Sequence, residues 1–362
     1  MIDFGFLGLG EVLMVYHSIE LCAGAGGQAL GLEKAGFKHI ELIEIDHNAC
    51  NTLRFNRPAW NVIEGDIRDY SPEPSVEIDL LAGGVPCPPF SVAGRQLGSN
   101  DERDLFPEAL RLVAELKPKA VMLENVRGLL DSVFDEYRTN IIRQLEKLGY
   151  SAEWRLLNAS DYGVSQLRPR VIFVGMKKEL GPYFFWPNPA ENNPPTVGEL
   201  LYNLMAKNGW KNAARWKKIA CDIAPTIVGG SKKHGGPDLG PTRARKAWAS
   251  LGVDGKGIAN DPPEKDFEGL PRLTTEMVAR IQGFPPDWLF TGSKTNVYRQ
   301  IGNAFPPPVA EAVGLQIKKA LELYMISKEV YHGVSQSFTR SFAVLRTDRR
   351  KGKINKKLRV SP

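Results

Sequence analysis

One cysteine stands where a nucleophile could act. Cys87 lies in the segment 83–91 (GGVPCPPFS), a stretch rich in proline and glycine that directly follows a short apolar run. Most cysteines are buried, inert side chains, but a loop position after a strand does not belong to a core face. Two arginines, Arg168 and Arg170, are available to stabilise a thiolate or a developing anion. We therefore predict that Cys87 is the nucleophile of a covalent reaction.

A carboxylate is expected in the same crevice as Cys87. Glu124 ends the next apolar run, in the segment 123–126 (LENV), and ligands of open α/β sheets bind beyond the carboxyl ends of the strands. Arg168 and Arg170 alternate in 166–170 (QLRPR), and alternate residues of an extended segment share one side. A catalytic site with two cationic partners is one interpretation of these charges, and structural salt bridges are the other.

A glycine loop and two acidic residues predict a site for an adenosine group. The segment 21–27 (LCAGAGG) follows the first apolar run and precedes a helical pattern, and its glycines permit close backbone approach of a nucleotide-like ligand. Glu44, twenty residues after Gly24, and Asp66 end the next two predicted strands. Glu44 could accept hydrogen bonds from ribose hydroxyls, and Asp66 from an adenine amine. Because the glycine spacing also satisfies the dinucleotide fingerprint, an NAD-dependent dehydrogenase remains an alternative at this point.

Short apolar runs alternate with amphipathic stretches from residue 16 to 176, which predicts an α/β fold with a parallel sheet and crossover helices. The predicted strands are 17–21, 40–45, 61–63, 78–82, 120–123, 154–157 and 171–175. The predicted helices are 28–35, 105–116, 136–148, 275–282 and 308–324.

The composition of the chain changes after Gly181: five prolines fall within residues 182–195, and the periodicity of apolar residues weakens. We predict a catalytic domain of residues 16–180 plus 292–326, a smaller irregular domain of 181–291, and a basic, mobile tail of 327–362.

The net charge of +6 is unevenly distributed. Residues 206–250 and 340–362 each carry +8, so the remaining residues carry −10. An acidic body with two basic blocks fits a protein that meets a polyanion on one face. The four cysteines are far apart, which argues against a disulfide framework or a zinc site. Without a signal peptide pattern or a long apolar run, we expect a soluble protein of the cytoplasm.

Six motifs occur in an order that closely resembles the cytosine-5 DNA methyltransferases of bacteria and phages. They are the glycine loop, Pro86-Cys87, the segment 124–126 (ENV), the segment 166–170 (QLRPR), the pair 272–274 (RLT) with 282–285 (QGFP), and the segment 300–304 (QIGNA). The resemblance covers residues 16–325 and implies a Rossmann-like methyltransferase fold, mostly parallel and doubly wound, with a small target-recognition domain.

The resemblance also implies a mechanism. Cys87 would add to carbon 6 of a cytosine that is flipped out of the duplex. Glu124 would hydrogen-bond the base at N3 and at its amine, Arg170 would contact the base carbonyl oxygen, and Arg168 would lie nearer phosphate. The cofactor would be S-adenosyl-L-methionine, leaving S-adenosyl-L-homocysteine, with no metal. The implied cofactor contacts are Leu21, Cys22, Ala23, Gly24, Gly26, Gly27, Glu44, Ile45, Asp66, Ile67, Pro86, Leu105 and Asn303.

Double-stranded DNA is the implied partner. Residues 90–104 resemble the mobile lid of the family, and 181–291 its target-recognition region. The expected DNA contacts are Ser91, Arg95, Gln96, Gln166, Lys232, Lys233, Arg243, Arg245 and Arg272. We expect a monomer in a bacterial or phage-infected cell, acting as the modification enzyme of a restriction–modification system beside a separate endonuclease, and no membrane contact.

Three other functions are compatible with parts of this pattern. A tRNA cytosine-5 methyltransferase would share the catalytic core, although a recognition region of some 90 residues with its own basic block favours DNA. A dehydrogenase has no need of Pro86-Cys87, the ENV segment and the QLRPR segment together. An inactive DNA-binding regulator would not need the complete set of catalytic residues.

Overall fold

The computed structural model describes residues 14–73, 77–86, 104–229 and 237–329. Several residues singled out from the sequence lie outside these ranges, namely Cys87, Ser91, Arg95, Gln96, Lys232 and Lys233, together with most of the basic tail. In the part of the chain that is described, no helix is long and apolar enough to cross a membrane.

A seven-stranded sheet forms the centre of the fold. Its strands are β1 (Tyr16–Leu21), β2 (Phe37–Glu44), β3 (Val62–Glu64), β4 (Leu80–Gly83), β5 (Ala120–Val126), β6 (Tyr150–Asn158) and β7 (Pro169–Lys177). Their spatial order is β3-β2-β1-β4-β5-β7-β6. The predicted fold class, a mostly parallel α/β sheet, is confirmed.

The direction of β7 makes the sheet mostly, and not wholly, parallel. β7 runs antiparallel to both of its neighbours, with Glu124 of β5 opposite Ile172 and Trp154 of β6 opposite Phe173. Only residues 159–168 connect β6 to β7, and a parallel crossover needs a dozen residues or more, usually with a helix. The short connection therefore forces β7 to return beside β6 in the opposite direction.

Ten helices accompany the sheet in the described ranges. They are α1 (Gly27–Lys34), α2 (His47–Asn56), α3 (Phe106–Leu116), α4 (Asp135–Lys147), α5 (Val197–Met205), α6 (Ala213–Ile219), α7 (Thr242–Ser250), α8 (Thr275–Ile281), α9 (Lys294–Asn303) and α10 (307–329). The five helices predicted from periodicity are present, and both ends of the first four lie within one residue of the predicted ends. The region 181–291 is less irregular than expected, because α5, α6 and α7 lie in it.

Alternate residues of each strand supply the two faces of the sheet. Ala120 and Met122 of β5 face a core that includes residues of α1 and α10, whereas Val121 and Leu123 face a core that includes residues of α3 and α4. The sheet is therefore covered on both sides, which leaves the edge formed by the carboxyl ends of its parallel strands as the place for a ligand.

A third hydrophobic core joins the small region to the sheet domain. It includes Trp216 and Trp248 of the small region together with Leu30, Leu42 and Leu53 of the sheet domain. Packing is thus continuous across the proposed domain boundary, and the two parts share apolar contacts instead of being separated by a linker.

Candidate active site

The glycine loop between β1 and α1 is held by its neighbours. Ala23 donates its N–H to the carbonyl of Ile43 at 3.1 Å, which ties the loop to the adjacent strand. Gly26 has φ of +86°, and a Cβ at this position would lie 2.7 Å from both Leu53 and Trp288. Trp288 in turn donates its indole N–H to the carbonyl of Ala25 at 3.2 Å. A side chain at residue 26 would therefore disrupt both the backbone conformation and this packing.

Glu44 ends β2 beside the loop. Its carboxylate accepts the N–H of Gly24 and the N–H of Asp46, each at 2.7 Å. Burial raises the pKa of Glu44, and these two hydrogen bonds act in the opposite direction. A carboxylate has about four acceptor positions, and the backbone of Ile45 also hydrogen-bonds this carboxylate, so about one remains for a hydroxyl of a bound ligand.

Asp66 lies two residues beyond the end of β3 and forms an ion pair with Arg68. The hydrogen bonds from Arg68 lower the pKa of Asp66, which keeps it ionised. An ionised carboxylate at this place can accept a hydrogen bond from an amine, as expected for an adenine site.

The carboxyl ends of the strands open into a cleft of about 640 Å³. It extends from β3 to β5, which are four strand spacings apart in the sheet, or about 19 Å. Among the residues expected to contact a cofactor, those on its wall are Cys22, Ala23, Gly24, Gly27, Glu44, Ile45, Asp66, Ile67, Pro86, Leu105 and Asn303.

Two expected cofactor contacts are not on this wall. Leu21 is completely buried in the core beneath the sheet. Gly26 is turned toward Leu53 and Trp288. Both support the loop from behind and do not face the cleft, so the expectation that they contact a ligand is corrected.

The cleft also contains residues that sequence reasoning missed. Glu20 and Gln28 flank the glycine loop on β1 and α1 and line the cleft. Within the described ranges, Glu20 Oε2 and Gln28 Oε1 are buried without a hydrogen-bond partner. Burial raises the pKa of Glu20 well above its usual value. The signal for Glu20 was a charged residue inside an otherwise apolar predicted strand.

These features fit a polar ligand of nucleoside type. Buried polar groups without partners are costly, and a ligand with hydrogen-bonding groups in the cleft would satisfy Glu20 and Gln28. Glu44 and Asp66 offer carboxylates at the β2 and β3 ends of the same cleft. The residues present are therefore compatible with S-adenosylmethionine.

Glu124 and Arg170 form an ion pair on neighbouring strands. Arg170 Nε lies 2.8 Å from Glu124 Oε1, and the side chains are only 13% and 12% exposed. Burial raises the pKa of Glu124, while the charges of Arg170 and Arg168 lower it. Since Glu124 also lines the cleft, its carboxyl group is held in place where it can exchange hydrogen bonds with a ligand.

The segment that leads to Cys87 is anchored to the same site. Asn125 donates its side-chain N–H to the carbonyl of Val85 at 2.9 Å, so it holds this segment, as expected from the sequence. Leu105 donates its N–H to the carbonyl of Pro86 at 3.1 Å. Pro86, the residue bonded to Cys87, therefore has a fixed position on the cleft wall.

Cys22 lines the cleft, but its surroundings make it a poor nucleophile. Burial raises the pKa of the Cys22 thiol, and the nearby carboxylates of Glu44, Asp66 and Glu20 raise it further. A thiol needs its thiolate form to react. The electrostatic surroundings of Cys22 oppose that form.

Arg168 is not placed near a DNA phosphate, which corrects one expectation. Its side chain is fully buried, and its guanidinium donates to the backbone carbonyls of Ile227, Gly302 and Ala304. Arg168 precedes β7, whereas Arg170 lies within that strand and points to Glu124. The two arginines thus have different surroundings despite their alternation.

Gln166 is likewise withdrawn from any DNA surface. It is 0% exposed, its carbonyl oxygen accepts the N–H of Ile227 at 2.8 Å, and its amide donates to Gln282 at 2.8 Å. The expectation that Gln166 contacts DNA is therefore corrected: its polar atoms bind the protein's own interior.

The basic residues of the small region remain at the surface. Arg243 is exposed on α7. Arg245 donates to the carbonyl of Gly240 at 2.8 Å and lies 3.4 Å from Asp238. Arg272 is exposed and bonds to Asp254 at 2.9 Å. These contacts partly neutralise Arg245 and Arg272.

Comparisons with known proteins point to one reaction. A sequence model of the C-5 cytosine-specific DNA methylases matches residues 16–319. The Type II methyltransferase M.NgoMIV of Neisseria gonorrhoeae is 60% identical over 85% of this chain and 99% of its own length. The Type II methyltransferase M.NaeI of Lentzea aerocolonigenes is 58% identical over 84% of this chain and 75% of its own length.

Solved structures agree on the fold. A prophage-encoded Escherichia coli protein, described as a DNA modification methyltransferase, has a TM-score of 0.60 and 25% identity, with 85% of this chain and 99% of that chain covered. A DNMT2 structure from Spodoptera frugiperda has a TM-score of 0.57 at 17% identity, covering 84% of this chain and 99% of that chain. The second similarity concerns the fold alone.

Proposed function

The chain belongs to the C-5 cytosine-specific DNA methylase family and is a DNA (cytosine-5-)-methyltransferase. We propose that Cys87 is its nucleophile and that S-adenosylmethionine is its methyl donor. The observation that carries the proposal is the cleft along the strand ends. Glu44 and Asp66 lie on its wall at the ends of β2 and β3, and Glu124 with Pro86 at the ends of β5 and β4.

Covalent attack explains why a cysteine is needed. Carbon 5 of cytosine is a poor nucleophile, and addition of the Cys87 thiolate to carbon 6 moves the electron pair of the 5,6 double bond onto carbon 5. Support for Cys87 over Cys22 comes from the raised pKa of the Cys22 thiol. That electron pair would form the bond from carbon 5 to the transferred methyl group. Once carbon 5 carries the methyl group, a proton leaves carbon 5, the carbon–sulfur bond breaks and the thiolate is restored.

Glu124 is the residue proposed to hold and activate the base. Burial raises its pKa, so this carboxyl group takes up a proton more readily than an ordinary glutamate. In its protonated form it can hydrogen-bond N3 of cytosine while the other oxygen accepts from the exocyclic amine. Arg170 orients this carboxyl group through the 2.8 Å contact. We assign Arg170 the base carbonyl oxygen as a further contact.

S-adenosylmethionine supplies an electrophilic methyl group when it is bound. Glu44 would accept hydrogen bonds from its ribose and Asp66 from its adenine amine. Asn303 closes the wall at the end of α9. No group of three or more potential metal ligands occurs among the described residues, and the proposed reaction uses none.

The region 181–291 is proposed to read the DNA target. Arg243 at the surface of α7, together with Arg245 and Arg272, could contact phosphate or guanine. Lys232, Lys233, Ser91, Arg95 and Gln96 stay predictions for DNA contacts outside the described residues. A cytosine must leave the duplex to reach Glu124, at a cost of a few kcal/mol.

We further propose a role as the modification enzyme of a Type II restriction–modification system, because the two relatives above are named Type II methyltransferases. It would act as a monomer in the cytoplasm, with an endonuclease that acts separately at the same site. The division into residues 16–180 plus 292–326, 181–291 and 327–362 also stays a proposal.

Bisulfite sequencing of plasmid DNA tests the proposal. The plasmid is taken from a methylase-free bacterial host that expresses this protein, with the Cys87→Ser variant as the matched control. We expect protected cytosines within one short recurring sequence for the wild type and uniform conversion for the variant. Uniform conversion with soluble wild-type protein would contradict the proposal and direct the search to tRNA.

A further inference from the structure

A fully buried polar cluster joins four separate segments of the chain. We call it the Arg168 junction; it consists of the side chains of Gln166, Arg168 and Gln282 and the backbone of Ile227, Gly302 and Ala304. The three side chains are each 0% exposed. Isolated buried charges and amides are costly. In this cluster both terminal nitrogens of Arg168 have hydrogen-bond partners, whereas Arg168 Nε has none among the described residues.

Arg168 connects two segments with different proposed tasks. Its guanidinium donates to the carbonyl of Ile227. Ile227 lies in the segment that precedes α7 in the chain. The guanidinium also donates to Gly302 at 2.7 Å and to Ala304 at 3.0 Å. Those last two residues flank Asn303 on the wall of the cofactor cleft.

The two glutamines close a ring of hydrogen bonds around Arg168. Gln166 accepts from Ile227 N–H and donates to Gln282, each at 2.8 Å. Gln282 then donates to the carbonyl of Ala304 at 2.6 Å. Ile227 and Ala304 are thus connected in two ways, through Arg168 and through the pair Gln166 and Gln282. A shift of Ile227 would disturb Ala304 through either connection.

Backbone packing adds a second constraint at the same place. A Cβ on Gly302 would lie 2.4 Å from the backbone nitrogen of Gly229, and one on Gly229 would lie 2.2 Å from Asn303 Oδ1. The segment 227–229 and the end of α9 are therefore in direct contact. Neither can move far without displacing the other.

We infer that Arg168 is a positioning residue that couples target recognition to cofactor binding. The inference rests on the proposed function, since it needs both ligands. DNA binding that orders segment 227–229 would order the Asn303 wall, so the cofactor product should bind more tightly when target DNA is present. Linkage requires the reverse effect to be equal.

The planar guanidinium is what serves three carbonyls at once. Lysine carries the same charge but has a single compact ammonium group without the rigid fork. Arg168→Lys should therefore keep the buried charge while loosening the link between Ile227 and Gly302. Methionine has a volume similar to that of glutamine, so Gln282→Met removes the connection through Gln166 and Gln282 and leaves the charge of Arg168 unchanged.

The test is the affinity for S-adenosylhomocysteine measured by calorimetry with and without a target duplex. The duplex carries the site found by bisulfite sequencing, and a duplex with that site scrambled is the reference. For the wild type we expect at least about a 5-fold tightening by the target duplex. For Arg168→Lys the tightening should fall below about 2-fold, and Gln282→Met should lie between the two.

Arg280→Lys is the control for loss of a partly buried arginine in the same region. Arg280 lies on α8, and its guanidinium donates to the carbonyl of Phe284 and reaches Glu276, outside the Arg168 junction. This variant should keep the wild-type coupling. If Arg168→Lys does not fold, Gln282→Met decides the matter in the same assay.

Unchanged coupling in both junction variants would overturn the inference, as would a wild type that methylates DNA but shows no tightening. Neither result would affect the proposed function. Loss of coupling in Arg280→Lys to the same extent as in Arg168→Lys would also overturn it, because the effect would then be general. A wild type that neither methylates DNA nor binds S-adenosylhomocysteine would instead refute the proposed function.

Discussion

Replacing Gly27 by alanine tests the close contact between the glycine loop and the opposite wall of the cleft. A Cβ on Gly27 would lie 2.2 Å from the carbonyl oxygen of Phe305 and 3.2 Å from Ala304 Cβ. Ordinary contact begins at 3.4 Å, so the two backbones must separate by about 1.2 Å (3.4 minus 2.2). The obstacle is a backbone atom, which a side-chain rotation cannot remove.

The energetic cost follows from that displacement. Overpacking a core costs about 1–3 kcal/mol, and a rigid backbone clash favours the upper value. The better helix propensity of alanine offsets up to about 1 kcal/mol. We therefore expect Gly27→Ala to lower the free energy of unfolding by about 2 kcal/mol. A displacement near 1 Å at a catalytic cleft can lower turnover about 100-fold.

Urea unfolding followed by tryptophan fluorescence measures the stability change, and methyl incorporation into plasmid DNA measures turnover. Gly65→Ala is the matched control, because Gly65 also lines the cleft but nothing lies within 4 Å of its Cβ. Its free energy of unfolding should be unchanged or raised by about 0.4–1 kcal/mol. If Gly27→Ala has the same free energy of unfolding and the same turnover rate as the wild type, the described contact between loop and wall is wrong.

Three further predictions concern single side chains. Cys87→Ser should abolish turnover while S-adenosylhomocysteine binding, measured by calorimetry, is retained; residual turnover near the wild-type rate would contradict a covalent mechanism. Burial raises the pKa of Glu124, so its proton persists to higher pH than in an ordinary glutamate. The single-turnover rate should fall as pH rises through that pKa, and Glu124→Gln should be slower by about 100-fold or more and lack this limb of the profile. Trp288→Phe removes the N–H that binds Ala25 and should lower the free energy of unfolding by about 0.5–1.5 kcal/mol, with weaker S-adenosylhomocysteine binding; an unchanged affinity would show that the loop does not need this support.

The strands of the sheet could be predicted because each is a short apolar run bounded by glycine, proline or charged residues. This placed Glu44 correctly at the end of β2, whereas β5 continues two residues beyond Glu124. The direction of β7 was not predicted, since apolar pattern does not encode strand direction. The ten residues that connect β6 to β7 were the available signal.

The surroundings of the two arginines show where sequence reasoning ends. Alternation in QLRPR suggested a common side for Arg168 and Arg170, but their partners lie elsewhere in the chain. The carbonyls that bind Arg168 are 59, 134 and 136 residues away, and backbone acceptors leave no trace in residue type. Glu124, the partner of Arg170, was identified because it is a charged residue at a strand end.

The interior of the cleft was predicted in part for a similar reason. Residues of the glycine loop were identified from their spacing, whereas Glu20 and Gln28 were missed because no spacing rule links them. Both are buried acceptors on the wall of the cleft. Their place on the wall became apparent only when the three-dimensional arrangement was known.

Covalent trapping tests the central claim most directly. A duplex carrying 5-fluorocytosine at the cytosine identified by bisulfite sequencing is incubated with the protein and S-adenosylmethionine, and denaturing electrophoresis with peptide mass spectrometry follows. Because fluorine cannot leave carbon 5 as a proton does, we predict a stable protein–DNA adduct at Cys87 that is absent from Cys87→Ser. An enzyme that methylates ordinary DNA but forms no adduct, or forms it at Cys22, would contradict the account.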